Sequence, residues 1–275
     1  MSKPEILSQT MTQAELSLAY PPFPHQIPDR VLAEGRYEAR FARTTAELEA
    51  VQRLRFEIFN IELGEGLEES YETGRDADEF DPVCHHLIVI DRTTSEIVGT
   101  YRLQTYEMAM AGCGFYSSGE FDLQGLPEAV LRQSIELGRA CVAESHRNTQ
   151  VLFMLFRGLA LYVSFNQMRY FFGCCSLTSQ DPVEARAVMA HLEEKGDVHP
   201  EYMVVPQPGL ECYSQDLQPD PSFQVKIPML FRIYLRHGAL VCGPPAIDRQ
   251  FKTIDYLVLF DVNMMSERQI RTFFG

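Results

Sequence analysis

The spacing of apolar residues changes several times along the chain, and each change marks an element. Tyr37-Glu38-Ala39-Arg40-Phe41 alternates and reads as a first strand. Thr44 followed by Glu47 has the form of a capping box. Leu48, Val51, Leu54, Ile58 and Ile61 then recur at helical spacing, which predicts a helix to about residue 63. Arg55 and Phe59, four apart, share one side of it. Residues 86–91 and 97–103 are strand-like runs around Thr93-Thr94-Ser95, a hairpin signal. Residues 108–133 show no period. A strand over 135–142, a helix over about 149–167 and a strand over 169–177 follow. Asp181, Pro182, Glu184 and Gly196 supply the start and stop signals of the next helix. A helix near 228–237 closed by Gly238, a strand near 239–242 and a last strand over 255–261 complete the pattern. Strands interleaved with helices, with no linker between them, predict a single mixed α/β domain over residues 36–275. Residues 1–35, proline-rich and aperiodic, read as a mobile or draped arm.

One strand breaks its own pattern. In Ile135-Glu136-Leu137-Gly138-Arg139-Ala140-Cys141-Val142, strict alternation would send Glu136 and Arg139 to opposite faces. An interior glycine predicts a bulge at Gly138 that swings both charges to one side. An acid and a guanidinium so presented make a candidate active site.

Composition and charge narrow the class. The chain has 275 residues, 45% hydrophobic and 23% charged, as ordinary globular proteins have. Its longest apolar stretch, Val151 to Phe165, is too short for a membrane span and contains Arg157. With no signal peptide before Tyr20 and seven cysteines forming no Cys-x-x-Cys pair, a reduced cytoplasmic protein is expected. A net charge of −14 argues against a nucleic-acid binder. Between Glu57 and Asp81 lie ten carboxylates and one basic residue, Arg75. Such a run is a solvated loop or the contact surface for a cationic substrate.

Most familiar catalytic patterns are missing or misplaced. His86 and Asp91 match the His-x-x-x-x-Asp of glycerolipid acyltransferases, yet a strand puts them on opposite faces. Cys84 and His85 diverge on extended chain. The seven histidines have no ligand spacing, so no metal is predicted.

Five pieces do line up: Arg55-x-x-x-Phe59, Asp78-Glu79-Phe80-Asp81, Gly99-Thr100-Tyr101-Arg102-Leu103, Gly114-Phe115-Tyr116-Ser117 with Glu120-Phe121-Asp122-Leu123, and Glu136-Leu137-Gly138-Arg139. Together they resemble acyltransferases of the GCN5-related N-acyltransferase (GNAT) fold that use acyl carrier protein thioesters. Acyl-homoserine-lactone synthases share the sparse frame. The wording around Glu136, with Tyr234-Leu235-Arg236-x-Gly238-Ala239 and Pro245-Ala246-Ile247-Asp248-x-x-Phe251, is more similar to bacterial ornithine–acyl-carrier-protein N-acyltransferases. The resemblance covers about residues 36–261.

It implies a mixed, largely antiparallel central sheet flanked by helices and extended at its C-terminal end. It also implies transfer of a long-chain, 3-hydroxy fatty acyl group from acyl carrier protein to the α-amino group of ornithine, giving lyso-ornithine lipid. Glu136 is then the candidate general base, its pKa raised by burial. Arg139 and Arg102 either hold the acceptor's carboxylate or orient Asp78 and Asp81, and Arg55 and Phe59 complete the substrate side. GNAT enzymes that use acetyl-CoA carry a glycine-rich loop before the central helix. Here Ala143-Glu144-Ser145-His146-Arg147-Asn148-Thr149 has no glycine, so phosphopantetheine on its carrier is expected rather than CoA, with Arg147 near its phosphate. A gap between the Glu136 strand and Cys174-Cys175-Ser176 would admit the pantetheine arm, and Phe171, Phe172 and the central helix would line an acyl tunnel. No permanent cofactor is expected. Carrier docking is expected through arginines among Arg132, Arg147, Arg157, Arg232, Arg236, Arg249 and Lys252. A lipid product implies transient contact with the inner membrane face. The alternatives are another amino acid acceptor, an acyl-lactone product, a non-catalytic carrier-binding module, and a thiol hydrolase.

Overall fold

A computed structural model describes residues 20–214, 216–220 and 222–275. Strands β1 (Leu32–Glu34), β2 (Tyr37–Phe41), β3 (His85–Asp91), β4 (Glu96–Thr105), β5 (Ser134–Val142), β6 (Tyr170–Leu177), β7 (Leu240–Val241), β8 (Ala246–Asp248) and β9 (Thr253–Asp261) form one sheet. Its order is β1-β2-β3-β4-β5-β6-β9-β8, with β7 also paired to β9. Every pairing is antiparallel except β5 with β6. The helices of eight residues or more are α1 (Thr45–Phe56), α2 (Thr149–Phe165), α3 (Pro182–Lys195), α4 (Met229–His237) and α5 (Glu267–Phe274).

The predicted caps are present. Thr44 and Glu47 form a reciprocal capping box at α1, and Asp181 caps α3, which ends on left-handed Gly196. Beyond α1 a π-helical stretch, Glu57–Glu62, carries the chain on to Leu63. It displaces the residues after Phe56 from strict α spacing.

Alternation along the strands divides the sheet's two faces. On one, Tyr101, Leu103, Ile135 and Phe171 bury against Val151, Met154, Leu155 and Leu159 of α2. Further along the same face, Cys175, Leu177, Tyr256 and Val258 bury against α3 and α4. Each such side chain contributes roughly 1.5–3 kcal/mol. On the other face Val51 of α1 packs on Ile88 and Ile90, and Phe115 and Phe121 pack on Phe172, Leu257 and Leu259.

The expected arm is in part docked. Residues 1–19 lie outside the described residues. Tyr20 bonds His86 at 3.0 Å, the Pro22 carbonyl accepts from His85 at 2.6 Å, and buried Gln26 accepts from Thr105 at 2.9 Å. Residues 32–34 form edge strand β1 on β2. Three residues are too few for a periodic signal, and the pairing came from the neighbour.

The parallel pair β5–β6 positions the site. It runs only from Ser134↔Tyr170 to Glu136↔Phe172 and then stops. A Cβ on Gly173 would sit 2.2 Å from the Leu137 carbonyl oxygen. Glycine is therefore required where the strands touch for the last time. Past it they part, and the sheet opens.

Candidate active site

The predicted bulge lies beside this opening. Thr100 faces Cys141 and Arg102 faces Gly138, so Tyr101 stands opposite both Arg139 and Ala140. The left-handed residue, however, is Arg139 (φ 50°), not Gly138. A Cβ on Gly138 would meet no atom within 4 Å, so glycine there leaves the cavity wall bare.

The bulge turns Arg139 to the same side as Arg102. Arg102 Nη1 reaches both oxygens of Asp78 at 2.5 and 2.6 Å and Asp81 at 3.1 Å. Arg139 Nη2 donates to Asp78 at 3.1 Å, and its Nε lies 3.5 Å from Asp76. Arg55, fully buried, bonds Asp76 and Asp81 at 2.6 Å each. Of the two roles left open for Arg102 and Arg139, the geometry shows them bonded to the loop aspartates. Burial pushes the Asp81 carboxyl up, yet Arg55, His86 and Arg102 hold it well below the usual carboxylate range. Asp76 was not singled out from the sequence. Its one signal was membership of an acidic run that is not merely solvated, since three of its carboxylates are internal counter-ions. Phe59, on the π-helical stretch, packs edge-on against Phe251 at 5.5 Å and lines the cavity.

Glu136 is placed differently from the expectation. Its carboxylate accepts from the amides of Tyr116 (2.9 Å) and Ser117 (2.7 Å) and from the Ser117 hydroxyl (2.6 Å). It lies beneath the Tyr116–Gly119 turn and does not line the cavity. Burial raises its pKa, and those three donors oppose the rise. The Glu136 side chain thus holds the turn that carries Tyr116 and leads to Glu120. Its expected place in the cleft is taken by other acids.

The cavity has a volume of about 440 Å³ and passes through the split in the sheet. At one end are Arg102, Tyr116, Arg139, Cys174, Ser176 and four carboxylates, Glu65, Glu120, Asp248 and Asp255. One oxygen from each of the last three lies within 4.8 Å of the others, close enough to share a single cation, whether an ammonium or a metal. Asp255 is held by the hydroxyls of Ser176 and Thr253. Burial, reinforced by Asp248, pushes its pKa up to about 6. Glu120 is raised well above the carboxylate range by burial, then by Asp255 and Asp248. The Cys174 thiol lies 3.6 Å from both Glu120 and Ser117, and burial, then Glu120, pushes it up, away from thiolate chemistry. At the other end the lining is apolar: Leu137, Phe156, Leu159, Phe171, Phe231, Tyr234 and Phe273. The sequence did not single out Glu120, Asp248 or Asp255 as site residues. They are distant in the chain, and only the sheet brings them together.

Arg147 lies outside the cavity. It is bonded to both oxygens of Glu62, at 2.5 and 2.6 Å, beside the first turn of α2. His86 and Asp91 are not paired, Asp91 being bonded to Arg36 and Thr93. Among the described residues, no helix is long and apolar enough to cross a membrane.

Residues 54–157 match the family model described as an acetyltransferase (GNAT) domain. The L-ornithine N(alpha)-acyltransferase of Agrobacterium fabrum (strain C58) is 32% identical over 253 residues, 88% of this chain and 86% of that protein. The protein of the same name from Rhodobacter capsulatus is 34% identical over 243 residues, 84% of this chain and 92% of that one. Among solved structures, the AHL synthase LasI aligns with a TM-score of 0.46 at 11% identity, over 88% of this chain and 97% of its own. FeeM, an N-acyl amino acid synthase from uncultured soil microbes, aligns at 0.45 and 11%, over 83% and 92%. The chain is an N-acyltransferase of the GNAT class. Within that class it belongs to the L-ornithine N(alpha)-acyltransferase family.

Proposed function

We propose that this enzyme transfers a long fatty acyl group from a pantetheine thioester to the α-amino group of ornithine. One observation carries the reading: a single cavity joins a carboxylate-lined chamber on one face of the sheet to an aromatic-lined chamber on the other. The product of such a reaction has a cationic head and a long apolar tail, with the new amide between them. The relatives' shared name supports ornithine as the acceptor.

Ornithine brings two amines and a carboxylate. Asp248 and Asp255 hold the side-chain ammonium. Arg139 lines the cavity, and its Nη1, which makes no hydrogen bond among the described residues, receives the acceptor's carboxylate while Nη2 stays on Asp78. Glu120 takes the proton from the α-ammonium, whose ordinary pKa of about 8 leaves it mostly protonated at neutral pH. A base with a raised pKa suits that transfer. The nitrogen then attacks the thioester carbon at the split, the C–N bond forms, the C–S bond breaks, and the pantetheine sulfur leaves and takes up a proton. Glu136 acts through Ser117 and Tyr116 as a positioning residue.

The donor is phosphopantetheine on acyl carrier protein. The segment before α2 lacks a glycine cradle, and Asn148 caps the helix by accepting from Val151. Arg232 and Arg236, exposed on α4 beside the cavity and without ion pairs among the described residues, offer a docking face to an acidic carrier. The hydroxyls of Tyr101 and Tyr234, bonded to each other inside the apolar chamber, offer a polar contact for a 3-hydroxyl on the acyl chain. The product is lyso-ornithine lipid, made in the cytoplasm and released at the inner membrane face.

The test is incubation with long-chain 3-hydroxyacyl carrier protein and a mixture of amino acids, with mass detection of amides. N-acylornithine is the expected product. Release of free fatty acid alone would overturn the reading, and an amide with a different amino acid would replace the acceptor.

A further inference from the structure

We infer that helix α5 is the end wall of the acyl chamber and that Phe273 sets the length of chain the enzyme accepts. The inference rests on the reading of the cavity as an acyl-transfer site. It concerns a boundary that neither the arginine–aspartate network nor the carboxylate chamber touches.

At its apolar end the cavity is lined by side chains from three helices: Phe156 of α2, Tyr234 and His237 of α4, and Phe273 and Phe274 of α5. Phe273 is central to them. Its ring lies 5.7 Å from Phe156 and 5.6 Å from His237, nearly perpendicular to both, and 6.1 Å from Phe153. Such edge-to-face contacts hold an aromatic ring in one place. A fixed ring at the end of an apolar tube stops the terminal methyl of a chain that has filled it.

The wall is also separable from the rest of the molecule. Helix α5 has eight residues and no strand partner. Its N-terminus is organised by the Ser266–Gln269 capping box, and Gln269 Nε2 meets His237 Nδ1 at 2.8 Å, joining α5 to α4. Its other side is exposed, with Arg268, Ile270 and Arg271 facing solvent. Removing the Phe273 ring therefore deepens the chamber and leaves the sheet, the bulge and the three carboxylates in place. Each further methylene that finds room strengthens binding on the order of fourfold.

The experiment measures kcat/KM of the full-length enzyme with carrier-bound acyl donors graded from decanoyl to icosanoyl, at saturating ornithine. Wild type, Phe273→Ala, Phe273→Leu and the exposed control Thr272→Ala are compared. Displacement of a fluorescent fatty acid by free acids of the same lengths gives a readout independent of turnover. The expected result is an optimum moved to longer donors in Phe273→Ala, a smaller move in Phe273→Leu, none in Thr272→Ala, and an unchanged ornithine KM throughout. An unaltered ranking of donors and fatty acids in both folded Phe273 variants, with an active wild type, would overturn the wall and leave the acyl-transfer reading standing. A wild type that acylates no amine with any donor would overturn that reading instead, and fatty-acid displacement still ranks the chamber's length. Should Phe273→Ala fail to fold, the Phe273→Leu ranking decides.

Discussion

The Ser117 hydroxyl donates to Glu136 Oε1 at 2.6 Å, and the Ser117 amide reaches the same oxygen at 2.7 Å. This pair of hydrogen bonds from one residue to another explains how an acid can be central to a site without entering its cavity. The loop after β4 is irregular and would otherwise leave amides unpaired in the interior. Glu136 satisfies two of them and so fixes Tyr116, which in turn stacks against Arg102 and Arg139 at 5.3 and 5.0 Å.

Replacing Glu136 with Gln swaps one accepting oxygen for a donor facing two donors. The expected cost is about 1–3 kcal/mol of stability with a fall in kcat. The acid limb of the pH–rate profile is expected to stay where it was, because Glu136 does not line the cavity. A melting curve and a pH profile check this, and a shifted acid limb would restore Glu136 as the base.

Asp255→Asn separates binding from chemistry. The ornithine KM is expected to rise by on the order of 10²-fold, with kcat less affected, whereas Glu120→Gln should lower kcat. The wild-type kcat/KM for ornithine should rise with pH through about 6, as Asp255 ionises in the free enzyme, and this limb should vanish in Asp255→Asn. Stability runs the other way. Because the folded pKa lies above the ordinary carboxylate value, the stability tied to this proton is lost as pH rises through about 6. Asp255→Asn should therefore melt higher than wild type at pH well above that value.

Arg55→Met leaves Asp76 and Asp81 buried without the guanidinium that bridges them, with Arg139 and Arg102 as their remaining cations. Removing one partner of a buried pair costs about 3–5 kcal/mol. Asp81 is held below its ordinary value, so its contribution is present at neutral pH and lost as pH falls below the carboxylate range. The melting deficit of Arg55→Met should thus narrow in acid. Thermal unfolding at neutral and acid pH measures it, and a constant deficit would detach the network from the acid sensitivity.

Tyr234→Phe removes one hydroxyl of the pair inside the apolar chamber. Discrimination between 3-hydroxyacyl and plain acyl donors should fall by on the order of tenfold. Equal discrimination in the variant, by competition between the two donors, would remove the tyrosines from acyl recognition.

A chelator should leave activity unchanged, since the cations proposed for Asp248 and Asp255 and for Glu120 are the acceptor's own two ammonium groups. Loss of activity on chelation, restored by one divalent metal, would reassign that site.

The fold was legible wherever one local signal dominated. Thr44 with Glu47, and Asp181 with Pro182 and Gly196, mark helix ends because capping involves neighbours in sequence. The bulge was legible from Glu136-Leu-Gly-Arg139, though not its detail: Arg139, not Gly138, takes the left-handed conformation. Strands as short as Leu32–Glu34 and Ala246–Asp248 left no pattern, since their hydrogen bonds are satisfied by distant chain.

By itself the sequence determined the order of elements, the Arg and Asp residues of the ion network other than Asp76, the interrupted strand and the family resemblance, all written in local spacing. The tertiary structure alone decided where the carboxylates point. Glu136 turned inward because backbone amides lay within reach, and Glu120, Asp248 and Asp255 met because the parting of β5 from β6 beyond Gly173 opened a chamber between them. Side-chain direction at a split in a sheet depends on which strands stop pairing. Residues far apart in the chain settle that.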